Sequence, residues 1–318
     1  MLVNLYKSKT PVAIFSFPVL IGLLCLPILF MEDASAPTFF SWQHDLIEFI
    51  ASSNVIHYST AVLIVYLSAL ELNRVVNTYG FYSKNSYLPG VIYVLALMGF
   101  GQFRFSMLLI AYGLVVFGIG FIFRINRQDS ALSSVFMASF FLGTSTVFEP
   151  MLFPAVVLPW VALAVFRAFN WREWVALIVG VGVPWLYHYG MYYTLTGNLE
   201  ILTETFALAY GRIQISPEKI SLMTFMFLMI VFSIWKFLII QKSQLLAFKK
   251  RSRLLFHLVW LALISFILGW YFYDSMIITV IIPFSIIVSV QMLNSNKTMY
   301  SNVALTIWIG LILWNVLN

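Results

Sequence analysis

The chain has 318 residues, of which 62% are hydrophobic and only 9% are charged, and its mean hydropathy is +0.94. Because soluble domains carry about 25% charged residues, this composition excludes an ordinary soluble domain and indicates a polytopic membrane protein. The formal net charge of +6 is divided between the two sides of a membrane, and it does not indicate a nucleic-acid partner. The single cysteine, Cys25, excludes a disulfide framework within the chain and a cysteine metal site.

Apolar segments long enough to cross a membrane occur along the whole chain, since a spanning helix needs about 20 such residues. We predict spans, in chain order, at 12–31, 55–72, 87–100, 105–124, 131–148, 151–169, 174–195, 220–240, 254–273, 275–293 and 300–317. The predicted fold is therefore all-α, a single transmembrane domain over residues 1–318 with about eleven transmembrane helices. Counts of ten or twelve stay open, because 87–100 is short and 131–148 is rich in Ser, Thr and Gly.

The first apolar segment resembles a secretory signal peptide, since Lys7 and Lys9 precede it and Ala34–Ala36 is similar to a cleavage site. Its apolar run of about 20 residues is longer than the core of a signal peptide, which has roughly 7–15 residues. We therefore interpret it as a transmembrane helix. Glu32 and Asp33 then lie at the point where this helix leaves the membrane.

The loops between the predicted spans carry their charges unevenly. With the N-terminus inside, 15 of the 18 basic residues fall on the inner side and nine of the twelve acidic residues on the outer side. The net charge is then +12 inside and −6 outside. Because cytoplasmic loops are rich in Lys and Arg, this distribution predicts a multi-pass membrane protein whose N-terminus is cytoplasmic and whose C-terminus lies on the outer side.

Two predicted outer loops, 32–54 and 196–219, are longer than the other connections. The first contains the amphipathic segment Ser41–Ile50, and the second has four apolar residues at helical spacing, Leu199, Leu202, Phe206 and Tyr210. We predict an amphipathic surface helix in each loop. On the inner side, Lys242–Arg253 is a basic segment of the kind that contacts anionic lipid headgroups, and the alternative is a plain topogenic signal.

No motif of a soluble enzyme occurs: the chain has no Walker A loop, no dinucleotide-binding fingerprint and no HExxH. Polar groups in or beside a membrane are costly there, so they are the candidates for function. We predict Glu32 and Asp33 as catalytic, one of them being a general base or a metal-binding carboxylate that faces a lipid-embedded substrate. The alternative is that both acids only cap the water side of a helix exit.

The predicted substrate site contains six further residues: His44, Glu48, His57, Arg104, Glu149 and His188. A guanidinium at the outer interface suits a phosphate or pyrophosphate, although a snorkelling arginine is the alternative for Arg104. His44 and Glu48 are one helical turn apart and could hold a divalent cation, the one cofactor we consider, unless they belong to a solvated helix face.

The other three members of this set lie near the predicted outer ends of spans. Glu149 occupies a tight turn and could pair with Arg104. His188 belongs to the aromatic run Pro184–Tyr193, which could stack against the ring of a substrate. For His57 and His188 the alternative is a structural hydrogen bond within the bundle.

A first outer loop that begins with acids directly after the first span and continues into a surface helix resembles the GT-C superfamily of glycosyltransferases. The resemblance implies a sugar donor linked to a polyprenyl phosphate or pyrophosphate, an acid of the first loop as base or metal ligand, and a basic residue at the phosphate. By position, Glu32 or Asp33 would be that acid and Arg104 the phosphate contact. The loop is shorter than is usual in the superfamily.

The segments Leu72–Pro89 and Phe169–Pro184 are similar to a family of polytopic inner-membrane proteins from Bacteroidetes-type bacteria. This similarity implies a location in the bacterial inner membrane, so that the predicted topology would place the N-terminus in the cytoplasm and the C-terminus in the periplasm. It assigns no activity. Two functions lead: a transferase that uses a polyprenyl-phosphate-linked sugar or glycan on the outer face, and a non-catalytic subunit or scaffold of an envelope secretion or assembly complex. A transporter ranks last, because the chain has no convincing internal repeat and few charges in the middle of its predicted spans. The predicted partners are membrane lipids, a polyprenyl-phosphate carrier and other envelope proteins.

Overall fold

The computed structural model describes residues 2–7, 10–26, 41–51, 53–81, 85–101, 104–127, 130–197, 217–242, 244, 246–270, 278–295 and 298–317. Within these ranges every regular element is a helix, which confirms the all-α fold class. The α-helices are α1 (Leu2–Tyr6), α2 (Pro11–Cys25), α3 (Ser41–Ala51), α4 (Asn54–Thr78), α5 (Leu88–Gly99), α6 (Met107–Arg124), α7 (Leu132–Phe148), α8 (Leu158–Phe166), α9 (Trp171–Thr196), α10 (Pro217–Lys242), α11 (Leu246–Trp270), α12 (Ile278–Leu293) and α13 (Thr298–Leu317).

Each predicted apolar segment overlaps one of these helices, so the positions of the helices are confirmed. Four of them, α4, α6, α9 and α10, are long and apolar enough to cross a membrane. Other apolar helices in the described part of the chain, such as α5 with 12 residues, are shorter. The count of eleven spans therefore stays a prediction.

The segment 151–169 differs from a single α-helix, because it begins as a 3-10 helix at Pro150–Val157 and becomes α-helical only in α8. Proline has no N–H to donate, and its ring collides with the carbonyl four residues earlier in an α-helix. Pro154 lies inside the 3-10 stretch and Pro159 follows at the start of α8. These prolines account for the late start of the α-helix.

Consecutive long helices run antiparallel, so their termini gather at two ends of the bundle. At one end, which we call the α3 end, the Asn315 amide donates to the carbonyl of Gly99 over 2.6 Å and α3 contacts the C-terminus of α7. At the opposite α1 end, the backbone N–H of Val3 donates to Asn302 over 3.1 Å. The α3 end contains residues that the sequence predicts on the outer side, and the α1 end contains residues that it predicts on the inner side.

The buried centre contains α5, in which every residue is buried, and most of α12. By contrast, α9, α10 and α13 lie at the periphery and expose large apolar side chains, among them Tyr187, Phe227 and Trp314. Helices that are apolar on all faces yet lie at the surface are compatible with contact to lipid.

Candidate functional site

Helix α3 docks against the C-terminus of α7 and against His188 of α9, and the adjacent residues Trp42 and Gln43 make these contacts. Gln43 is fully buried, and its Nε2 donates to the carbonyl of Phe148 over 3.1 Å and to that of Val147 over 3.4 Å. The last carbonyls of a helix have no partner inside it, so this amide satisfies groups that burial would otherwise leave unpaired. The Trp42 ring meets the Phe148 ring edge-on, with 5.5 Å between the centroids.

This docking confirms a helix within the first predicted loop, and it shows how the helix is oriented. Trp42 and Gln43 face the bundle, while Asp45, Glu48 and Phe49 are exposed. The second predicted surface helix, in the loop 196–219, falls mostly outside the described residues.

The predicted aromatic run on α9 divides between two faces of the helix. Trp185, His188 and Tyr189 are at helical spacing and partly buried, whereas Leu186, Tyr187 and Met191 are exposed. The His188 ring lies 6.1 Å from the Trp42 ring and 6.2 Å from the Trp185 ring, centroid to centroid.

The indole of Trp185 is held in place by a hydrogen bond from its Nε1 to Thr146 Oγ1, 3.0 Å away on α7. Tyr189 stacks on the Trp185 ring at 5.5 Å. Three helices, α3, α7 and α9, therefore build an aromatic cluster around His188, consisting of Trp42, Phe148, Trp185 and Tyr189.

Glu149 follows α7 directly, in the turn between two predicted spans, and only 6% of its surface is exposed. Its carboxyl accepts the backbone N–H of Met151, while Oε1 has no hydrogen-bond partner among the described residues. Burial disfavours the charged carboxylate more than this one N–H stabilises it, so the pKa of Glu149 rises to about 8. Glu149 is accordingly a neutral acid at pH 7, able to donate a hydrogen bond.

The predicted pairing of Glu149 with Arg104 is not found, since the described residues show no ion pair between them. The carboxyl instead lies close enough to the Tyr112 hydroxyl of α6 to interact with it electrostatically, and that hydroxyl hydrogen-bonds to Thr279 of α12. Glu149 therefore belongs to the inside of the bundle. Arg104, in the α5–α6 connection, is partly exposed.

His57 holds this same α5–α6 connection in place. It is buried, and its Nε2 accepts the backbone N–H of Phe105 over 3.1 Å. The Phe105 ring also stands edge-on to the imidazole, with 6.2 Å between centroids. These contacts favour the structural alternative for His57, because the nitrogen that accepts this N–H is occupied.

The structure describes only some of the remaining predicted site residues. Glu32 and Asp33 lie outside the described residues, so their catalytic role stays a prediction. His44 lies in α3, but its side chain is outside the described part of the structure, and Glu48 is exposed on the same helix. Among the described residues no three His, Cys, Asp or Glu side chains gather as a metal site would require.

Sequence reasoning did not single out Gln43, Thr146, Tyr112 or Thr279. For Gln43 the sequence offered one signal, because this residue follows Trp42 in the amphipathic segment Ser41–Ile50. In the structure both side chains face inward. Tyr112 and Thr279 are 167 positions apart in the sequence, so only the packing of α6 against α12 brings them together.

The α3 end thus carries an imidazole among aromatic rings and a partly exposed guanidinium, groups that can hold a sugar ring and a phosphate, together with a buried carboxyl. Comparison with known proteins finds no family model, no curated protein and no solved structure that matches this chain.

Proposed function

We propose that this chain is a multi-pass protein of the bacterial inner membrane whose α3 end is the active site of a GT-C-like transferase. Its substrate would be a sugar or glycan linked to a polyprenyl phosphate on the outer face of the membrane. The observation that carries the proposal is the docking of α3, the helix that follows Glu32 and Asp33 in the chain. It contacts the C-terminus of α7, directly before Glu149, and His188 of α9.

Transfer of a glycosyl group breaks the bond between the sugar and the phosphate of the donor and forms a bond to an acceptor hydroxyl. Glu32 or Asp33 would accept the proton of that hydroxyl. Arg104 would stabilise the negative charge that develops on the departing polyprenyl phosphate. Glu149, which is buried and neutral at pH 7, would not serve as the base.

The aromatic cluster around His188 would supply the apolar faces on which a sugar ring rests. Aromatic side chains offer large apolar faces, and the hydrogen bond from Trp185 Nε1 to Thr146 Oγ1 fixes the orientation of one of these rings. Such a wall would orient the donor, with its lipid tail directed toward the surrounding membrane.

The test is deletion of the gene, followed by profiling of envelope glycans and lipid-linked intermediates. Complementation with Glu32→Ala, Asp33→Ala or Arg104→Ala should fail to restore the profile and should leave a lipid-linked donor accumulating. Asp45→Ala is the matched control, since Asp45 is an exposed acid of α3, and it should restore the profile. Full restoration by all three variants would show that the α3 end has no transferase activity.

A second function, a non-catalytic subunit of an envelope secretion or assembly complex, is favoured by one observation. The peripheral helices α10 and α13 expose aromatic side chains, such as Trp235 at 56% and Trp314 at 62%, to which a partner helix could dock. Under this function, deletion would leave every lipid-linked intermediate unchanged and would reduce the amount of another membrane protein of the complex.

A further inference from the structure

An open groove lies at the α1 end, between the last turns of α10 and the first turn of α11. It has a volume of about 520 Å³ and is lined by Trp235, Leu238, Ile239, Gln241, Lys242 and Lys249. Volumes of roughly 300–1,000 Å³ are usual for ligand sites. Three apolar side chains form one part of the lining, and two lysines with an amide form the other.

The spacing of its residues explains why the groove has an apolar part and a cationic part. Trp235, Leu238, Ile239 and Lys242 recur at intervals of three and four, so they share one face of α10, and Lys242 is the last residue of that helix. The apolar stretch therefore lies toward the middle of the helix and the ammonium at its end. A membrane lipid has the same order, with its tail toward the middle of the bilayer and its headgroup at the surface.

Packing on the opposite face fixes the two helices that form the groove. The Phe237 and Phe248 rings are buried and stacked, with 5.7 Å between their centroids and an angle of 30°. This contact joins α10 to α11, while the Arg251 guanidinium turns inward and donates to the carbonyl of Tyr79. Lys242 and Lys249 remain on the exposed side.

The positive charge around the groove has no acidic residue near it in the sequence. Six basic residues lie between 236 and 253, and no Asp or Glu occurs between Glu218 and Asp274. Lys236 adds a further charge beside the groove, since its Nζ lies 4.9 Å from the centroid of the Trp235 ring. The groove therefore suits an anion with an apolar tail.

We propose that this groove is a binding site for one anionic phospholipid. The headgroup phosphate lies between the Lys242 and Lys249 ammonium groups, with the Gln241 amide as a further donor, and an acyl chain lies along Trp235, Leu238 and Ile239. The proposal is independent of the transferase, because the site is at the opposite end of the bundle. It goes beyond a general attraction of the basic segment to lipid, since it requires particular lysines.

The experiment compares two double variants of the full chain, purified in a neutral detergent, that each remove two positive charges from the same segment. Lys242→Gln with Lys249→Gln removes the lysines of the groove. Lys250→Gln with Arg253→Gln is the matched control, because neither residue lines the groove. Thermal unfolding is measured with added phosphatidylglycerol, with phosphatidylcholine of the same acyl chains, and with inorganic phosphate.

Phosphatidylglycerol should raise the Tm of the natural chain and of the control variant by about 2–4 °C, the shift expected for binding to the folded state alone. The groove variant should lose at least half of that rise, and neither phosphatidylcholine nor inorganic phosphate should reproduce it. Equal losses in both variants, or an equal rise with phosphatidylcholine, would overturn the proposal.

A second measurement covers the case in which the groove variant does not fold. Native mass spectrometry of the natural chain, in an equimolar mixture of phosphatidylglycerol and phosphatidylcholine, should show retention of a single phosphatidylglycerol molecule. Retention of both lipids in equal amounts would overturn the proposal without any substitution.

Discussion

Glu149 has one neighbour that stabilises its charged form, the backbone N–H of Met151, and surroundings that favour its neutral form. Because the side chain is 6% exposed, water cannot supply the solvation that a carboxylate needs. The pKa therefore rises from the ordinary value of 4.5 to about 8. Glu149 and the exposed acids of α3, which remain in contact with solvent, consequently differ in what they can do at neutral pH.

This raised pKa predicts a stability that falls as the pH rises. Between pH 4.5 and about 8 the folded protein holds a proton at Glu149 that the unfolded chain has released. Unfolding therefore becomes easier by up to about 1.4 kcal/mol for each pH unit in that window. The contribution is fully present below pH 4.5 and is lost as the pH passes about 8. Thermal unfolding in detergent between pH 5 and pH 9 measures it.

Glu149→Gln is the control for that prediction, since its amide is neutral at every pH and keeps the shape of the protonated carboxyl. The Tm of this variant should depend less on pH than the Tm of the natural chain, and the two should differ most above pH 8. Identical pH dependence in both proteins would show that Glu149 does not carry a raised pKa.

At the scale of the elements, the pairing of α7 with α9 depends on two glycines. A Cβ added at Gly143 would lie 2.8 Å from the carbonyl oxygen of Val181, and one added at Gly180 would lie 2.8 Å from that of Phe136. Both neighbours are backbone atoms that cannot rotate away. Small residues at such positions allow membrane helices to approach closely, and this approach sets the distance between Thr146 on α7 and Trp185 on α9.

Gly143→Ala and Gly180→Ala should therefore each destabilise the protein by about 1–3 kcal/mol, since overpacking forces the two helices apart. Circular dichroism during thermal unfolding would report this as a lower Tm. Gly182→Ala is the matched control on α9, because no atom lies within 4 Å of its added Cβ. That variant should be neutral or more stable by about 0.5–1 kcal/mol, as alanine favours a helix. Equal effects at Gly180 and Gly182 would contradict the close approach.

At the scale of the whole molecule, the antiparallel helices separate two ends with different charged groups. The α1 end carries Arg167 in an ion pair with the buried Glu173, at 3.1 Å, together with the basic groove of α10 and α11. The α3 end carries the exposed acids Asp45 and Glu48. If the chain is inserted as its charge distribution predicts, these two ends face opposite sides of the membrane.

Labelling with a membrane-impermeant maleimide tests this orientation in spheroplasts, in a Cys25→Ala background. Asp45→Cys on α3 should react in intact spheroplasts, while Arg172→Cys at the start of α9 should react only after the membrane is opened, because both positions are exposed at opposite ends. The background protein without an added cysteine should not react. Reaction of both cysteines from the outside would contradict the predicted topology.

The sequence by itself determined which segments become helices. A long apolar run is driven out of water at any position in the chain, and the prolines and charged residues on either side mark where the helix begins and ends. Even here it missed the 3-10 stretch Pro150–Val157, whose geometry depends on Pro154. Hydropathy also indicated α3 as an amphipathic helix, because a period of 3.6 can be recognised without knowing what the helix contacts.

Only the tertiary structure decided which face of each helix meets which neighbour. In the folded protein, Gln43 and Trp42 contact the end of α7, and His57 accepts the N–H of Phe105. Glu149 is buried near Tyr112 and is not paired with Arg104. In chains this apolar, nearly every face is hydrophobic, so the pattern along the sequence carries little information about partners. The choice among faces comes from close contacts between residues far apart in the chain, such as Gly143 with Val181, and those contacts exist only once the helices have packed.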